Sequence, residues 1–289
     1  MKRLLLPVWN GGHRLAWRAG DYLGAVRHGR FGRCDVCGRA GPWLYRRRAI
    51  PPRLEQLWGL SPRLVEALAA KESSDCAWCG AKLRARRLAR VVLDTYPVGS
   101  PRTPAPSVAA WVGTPEARAL RVAEVNRIDG LHGPLARLPD LAFSDFDPSA
   151  APEDAVPSED LTRLSYPDET FDLVVTSETL EHVPRLDAAL AEIWRVLAPG
   201  GRHIFTVPLL PGVPKTYARA VVGPDGTVEP RTVEVRHPGG DVGYLVFTEF
   251  GADLPELLER AGFEVQMAFG PVSGDDLGQV FNTRKPAKA

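Results

Sequence analysis

The run from Phe171 to Pro208, FDLVVTSETLEHVPRLDAALAEIWRVLAPGGRHIFTVP, constrains the fold of this chain more than any other stretch. Phe171 to Thr176 is apolar and rich in β-branched residues, the pattern of a buried strand. From Pro184 to Leu197, apolar residues Leu186, Leu190, Ile193 and Leu197 recur at helical spacing and make one stripe. Pro199-Gly200-Gly201 ends that helix, because proline cannot continue it and glycine tolerates left-handed dihedrals. His203 to Val207 then reads as a second strand. Strand, helix and strand at this length predict a βαβ unit with parallel strands.

These residues also carry a family resemblance. Phe171-Asp-Leu-Val opening a strand, then Leu180-Glu-His-Val, a helix, and Leu197-Ala-Pro-Gly-Gly before the next strand resemble class I S-adenosylmethionine-dependent methyltransferases. The closest likeness is to their small-molecule, type 11-like branch. The resemblance implies an α/β fold, a Rossmann-like methyltransferase sheet with helices on both faces, in which Phe171–Thr176 and His203–Val207 are strands four and five. It also implies strand one at Leu120–Val125 and strand two at Ala142–Ser144. Glu264–Phe269 and Gln279–Asn282 would be the last two strands, paired as a hairpin.

The cofactor residues follow from the same resemblance. Glu124 stands at the acidic position after strand one. Asn126, Ile128 and Gly130 occupy the three positions of the family's glycine loop, so only Gly130 matches. Asparagine tolerates the tight turn that the first glycine serves, whereas Ile128 puts a branched side chain where backbone should approach the ligand. Asp145 falls where an acid binds the ribose hydroxyls, with Asp147 as a near rival. Asp160 and Leu161 fall where the family holds the adenine amino group and covers the ring, and Ser177 ends strand four. His182 reads as structural. Lys215 to Gly243 is an insertion with a hairpin around Gly223-Pro-Asp-Gly226, about 211–248 in all, expected over the ligand-binding ends of the strands. His237 lies in it and is the candidate general base.

All four cysteines sit in two matched knuckles, Cys34-Asp-Val-Cys37-Gly and Cys76-Ala-Trp-Cys79-Gly. Paired thiols on tight turns share one ion, so the four predict a structural zinc site. Disulfides and a redox pair are the alternatives. The 38 residues between the pairs need an inserted helix, which Pro62 to Ala70 supplies. From Lys82 to Leu93 a second helix turns Ala81, Ala85, Leu88 and Val92 inward and Arg86, Arg87 and Arg90 outward. A further helix is expected within residues 1 to 33. A cysteine knuckle before an arginine-rich helix resembles zinc-bearing methyltransferase-like proteins found with sugar and natural-product enzymes.

Charge divides the chain. Residues 1–107 hold 20 Lys/Arg against 7 Asp/Glu, and the remainder 16 against 28. With the proline-rich stretch Pro97 to Pro106 between them, the two halves read as a basic zinc-binding region, 1–107, and a methyltransferase-like domain, 108–289. The asymmetry suits domains that dock by charge, or a basic surface that takes nucleic acid. No apolar run approaches the ~20 residues of a membrane span, and the basic N-terminus lacks a leader's apolar length, so a cytoplasmic protein without membrane partners is expected. The leading functional expectation is methyl transfer from S-adenosylmethionine to a small metabolite, a sugar or natural-product intermediate. An enzyme of the same fold that has lost methyl transfer, motivated by Asn126 and Ile128, and a non-enzymatic nucleic-acid or protein binding module are the alternatives. The sequence does not set the oligomeric state.

Overall fold

The computed structural model describes residues 30–45, 52–145, 156–209, 212–237, 243–269 and 277–287. Asp147, the Pro-Gly-Gly-Asp run after His237 and most of the region 1–33, where a helix is expected, lie outside them; the described end of that region, Phe31–Arg33, is a strand. Contacts divide the chain into two units. The first runs to Ala119 and takes in Ile128–Pro139 and the segment ending at Gly278; the second holds the rest.

The first unit contains strands β1 (Phe31–Arg33), β2 (Ala40–Leu44) and β3 (Asp75–Cys76), an antiparallel sheet in that order. Its helices are α1 (Pro52–Leu57), α2 (Pro62–Ser73), α3 (Leu83–Thr95), and the single turns α4 (Val108–Trp111), α5 (Pro115–Arg118) and α6 (His132–Leu135). Helix α2 starts where the sequence supplies both signals: the Ser61 hydroxyl accepts from the Leu64 amide, and Pro62 takes the first position. It runs three residues past the expected Ala70. In and just before α3 the expected stripe is buried, Ala81, Ala85, Leu88 and Val92 all being enclosed.

Arg86 corrects the expected outward arginine face. It is buried, with its guanidinium donating to the carbonyls of Ser74 and Ala81 and lying 4.0 Å over the Trp43 ring. The Ser74 carbonyl at the end of α2 needs a donor, and a planar fork that also reaches the Ala81 carbonyl and stacks on an aromatic face supplies it. Arg90 is exposed as expected and pairs with Asp94 at 2.9 Å.

The second unit is built on a mixed sheet. Strands β4 (Val122–Val125), β5 (Leu141–Ser144), β6 (Phe171–Ser177) and β7 (Leu197–Thr206) are parallel in the order β5-β4-β6-β7, with helix α7 (Leu186–Val196) crossing from β6 to β7. The predicted βαβ unit is therefore present. Leu190, Ile193 and Leu197 of the stripe are buried, and Leu186 packs at the edge of the same core. The helix ends at Val196, before the Pro-Gly-Gly segment expected to stop it, and that segment lies inside β7, where Gly200 takes φ 80° and the pairing to β6 slips between Phe171 and Leu173.

The insertion contributes three antiparallel ribbons. They pair β8 (Tyr217–Ala218) with β13 (Thr248–Glu249), β9 (Ala220–Val222) with β10 (Val228–Pro230), and β11 (Arg236–His237) with β12 (Tyr244–Leu245). The hairpin expected at Gly223-Pro-Asp-Gly226 is the second of these; the Gly223 amide donates to the Thr227 carbonyl and Gly226 sits at φ 82°. After α8 (Leu254–Arg260), β14 (Glu264–Ala268) and β15 (Val280–Arg284) pair antiparallel, and β15 joins β7 antiparallel. The resemblance leaves room for a third strand between Ser144 and Phe171. Among the described residues 156–170 there is instead one bridge, Asp160 to Arg163, within turns.

Candidate active site and cysteine cluster

Parallel strands present all their C-terminal ends at one edge of the sheet, and that edge collects most of the expected cofactor residues. Glu124 is fully buried within β4. Asn126 follows at φ 63°, and its amide donates to the Ser144 carbonyl at the end of β5. This is the left-handed turn for which the family uses glycine, held here by a residue with a short polar side chain. Asp145 leaves β5 with its amide on the Pro157 carbonyl and its side chain partly exposed. Ser177 closes β6, its hydroxyl 2.8 Å from that of Thr206 on β7. The Asp160 carboxylate folds back on Thr162, accepting from its amide and hydroxyl at 2.8 Å each, while Leu161 is buried in the core.

The remaining glycine-loop positions fall in the first unit. Ile128 is 3% exposed, and its carbonyl accepts from the amides of Leu131 and His132. Gly130, at φ 72°, lies so near the backbone of Ala81 that a Cβ would stand 2.7 Å from its nitrogen. Backbone conformation and close packing both demand glycine there.

A cleft of about 620 Å³ in the second unit is lined by Asp160, Thr162, His182, Arg185, Val222 and Phe247 among others, large enough for a small metabolite. Beside it lies a cluster that residue order alone did not reveal. A short turn, Leu180–His182, follows β6, and its Glu181 is 0% exposed. The Phe247 amide donates to the Glu181 carbonyl, which ties the insertion to this turn. His237 Nδ1 stands 3.5 Å and His182 Nε2 3.6 Å from the same oxygen, Glu181 Oε1. The two imidazoles meet edge to face, centroids 4.9 Å apart. Burial works against the Glu181 carboxylate, yet the contact with His237 and the positive charge both rings can carry hold its pKa below the ordinary value. The expected base is thus gathered with His182, which the sequence suggested only as structural. The signal that could have found the cluster is the Glu181-His182 pair itself.

The four cysteines also converge. Each knuckle closes the same way: the Gly38 amide donates to the Cys34 carbonyl at 2.8 Å, and the Gly80 amide to the Cys76 carbonyl at 2.9 Å. Both glycines take left-handed dihedrals, φ 76° and 74°. Sγ atoms of Cys34 and Cys79 are 3.7 Å apart, those of Cys37 and Cys76 3.9 Å. Zinc–sulfur bonds of about 2.3 Å at tetrahedral angles require sulfurs about 3.8 Å apart, so the donor set fits that ion. All four are free thiols. Hydrogen bonding among the sulfurs raises the pKa of Cys34 and Cys79 and lowers that of Cys76. Arg86 is close enough to feel the charge of Cys34, Cys76 and Cys79, although burial lowers its own pKa.

The parallel sheet, its antiparallel final pair and the connecting helix define a Rossmann-like α/β fold of the methyltransferase type. A family described as "Methyltransferase domain" matches residues 141–205. Over 39 residues the chain is 59% identical to the ubiquinone/menaquinone biosynthesis C-methyltransferase of Hydrogenovibrio crunogenus, covering 14% of this chain and 15% of that protein. Over 42 residues it is 45% identical to the sterol 24-C-methyltransferase of Neurospora crassa, covering 14% and 11%. The chain thus aligns with only a small part of the length of either relative. An S-adenosylmethionine-dependent methyltransferase structure from Mesorhizobium loti aligns at 18% identity and a TM-score of 0.37, covering 59% of this chain and 93% of that one.

Proposed function

We propose that the second unit is an S-adenosylmethionine-dependent methyltransferase for a small metabolite and that the four cysteines hold a structural zinc ion. The observation that carries the reading is the gathering of Asn126, Asp145 and Ser177 at one sheet edge, inside or next to the segment that matches the methyltransferase domain. S-adenosylmethionine supplies an electrophilic methyl group on a sulfonium. Asp145 accepts hydrogen bonds from the ribose hydroxyls, the turn at Asn126 lets the chain pass close to the ligand, and Asp160 faces the adenine end. The acceptor lies in the cleft by His182 and Phe247, where bound geometry replaces random encounter. The acceptor loses its proton beside the Glu181–His182–His237 cluster rather than to an isolated His237. Both named relatives methylate carbon by their descriptions; a largely apolar small metabolite with a hydroxyl or enol group suits a cleft of this size, in which Val222, Pro224 and Phe247 stand beside Asp160, Thr162 and His182.

The test is turnover. The purified chain, incubated with methyl-labelled S-adenosylmethionine and a library of hydroxylated small metabolites, should label one acceptor class and release S-adenosylhomocysteine. Absence of binding to either S-adenosyl compound would move the chain to the alternative in which the fold persists without methyl transfer.

A further inference from the structure

The contacts of the Glu181 cluster do not suit hydrogen bonds. His182 Nδ1 lies 2.7 Å from the Leu245 carbonyl, which can only accept, so Nδ1 carries the proton. In the neutral ring, Nε2 then has a lone pair and no proton to offer the carboxylate oxygen 3.6 Å away. His237 Nδ1 approaches that same oxygen at 3.5 Å. Charge-assisted hydrogen bonds close to about 2.7–2.9 Å, and these contacts stop well short. Glu181 is fully buried, and neither of its oxygens accepts a hydrogen bond among the described residues. A buried carboxylate in that condition is costly unless something cationic completes it.

Donor atoms about 2.0–2.2 Å from one tetrahedral ion stand about 3.3–3.6 Å from each other, and both imidazole nitrogens stand at that spacing from Glu181 Oε1. The three donor atoms lie within 4.8 Å of one another. A ligating imidazole typically donates its other ring N–H to a carbonyl or carboxylate, as His182 does to Leu245. We propose that Glu181, His182 and His237 bind a divalent first-row transition-metal ion, zinc by donor type, separate from the cysteine site. Three protein ligands leave a fourth position, which a water or hydroxyl oxygen from the cleft lined by His182 fills. The metal site stands independently of the enzymatic reading; only its use on an acceptor hydroxyl rests on methyl transfer.

Zinc and cobalt(II) binding to the full chain tests it. Wild type should take up about one equivalent more than either Glu181→Gln or His237→Ala. With cobalt the additional equivalent should lack the thiolate charge-transfer absorption that marks the cysteine site. His237 is only partly buried, so its variant keeps the test valid if loss of the buried carboxylate unfolds the chain. Equal metal uptake by wild type and a folded His237→Ala variant overturns the proposal and leaves an imidazolium–carboxylate cluster in its place. S-adenosylhomocysteine affinity, measured on the same samples, reports separately on the cofactor reading.

Discussion

His203 is buried in β7, its ring stacked 4.3 Å from Phe205 and its Nε2 2.9 Å from the Thr176 hydroxyl. Enclosure away from water lowers its pKa from 6.5 to about 3. Between those values the unfolded chain binds a proton that the folded chain refuses. The stability at stake is intact above about pH 6.5 and falls by about 1.4 kcal/mol per pH unit toward pH 3. Urea unfolding at pH 7 and pH 5 should show wild type losing about 2 kcal/mol more than His203→Gln, since many carboxylates contribute equally to both. Equal losses would contradict this. Ile128 offers a second test at this scale. It is a core residue, so Ile128→Gly should cost about 2–5 kcal/mol of stability without improving S-adenosylhomocysteine affinity. Tighter binding with a small loss of stability would put Ile128 in the ligand pocket instead.

Among the elements, the insertion depends on one buried ion pair. Arg219 Nε meets Glu249 at 2.5 Å with both side chains buried, and the guanidinium also reaches Thr232, the Val233 carbonyl and the Tyr217 hydroxyl. Burial raises the Glu249 pKa against the pull of Arg219. Arg219→Ala leaves that carboxylate enclosed and unpaired, so a thermal or urea midpoint should report a loss of about 3–5 kcal/mol. A loss below about 1 kcal/mol would mean that the pair behaves like an exposed one. Elements of this kind also show what was legible in the sequence. Local signals held: the stripes of α3 and α7, the hairpin at Gly223–Gly226 and the two matched knuckles all follow from spacing and residue type. Long-range closure did not. Nothing near Arg86 in sequence announces the carbonyls of Ser74 and Ala81 as its partners, and 54 residues separate His182 from His237. Within the described residues 156–170 the chain runs in turns, where Pro157, Pro167 and the Asp160–Thr162 fold-back break any ladder.

At the scale of the whole molecule, each unit carries its own means of order. Among the described residues no helix is long and apolar enough to cross a membrane. The sheet of the second unit has a continuous core running through Val174, Ile193, Phe205, Phe250 and Phe281. The cysteine region has a small sheet, short helices and a thiol cluster, and its order should depend on metal. Purified protein should carry zinc at the cysteines; chelation should abolish amide protection around residues 31–44 and 75–95 while β4, β6 and β7 stay protected. Persistence of all protection after complete metal removal would contradict a structural zinc. The account as a whole turns on whether the edge formed by β4, β5 and β6 holds an S-adenosyl ligand. Calorimetric titration with S-adenosylhomocysteine should give one site per chain, and Asp145→Ala should weaken it by about 1.5–3 kcal/mol, the usual worth of hydrogen bonds to a charged group. Binding that is absent in the wild type, or unchanged in the variant, would contradict the assignment of this edge as the cofactor site.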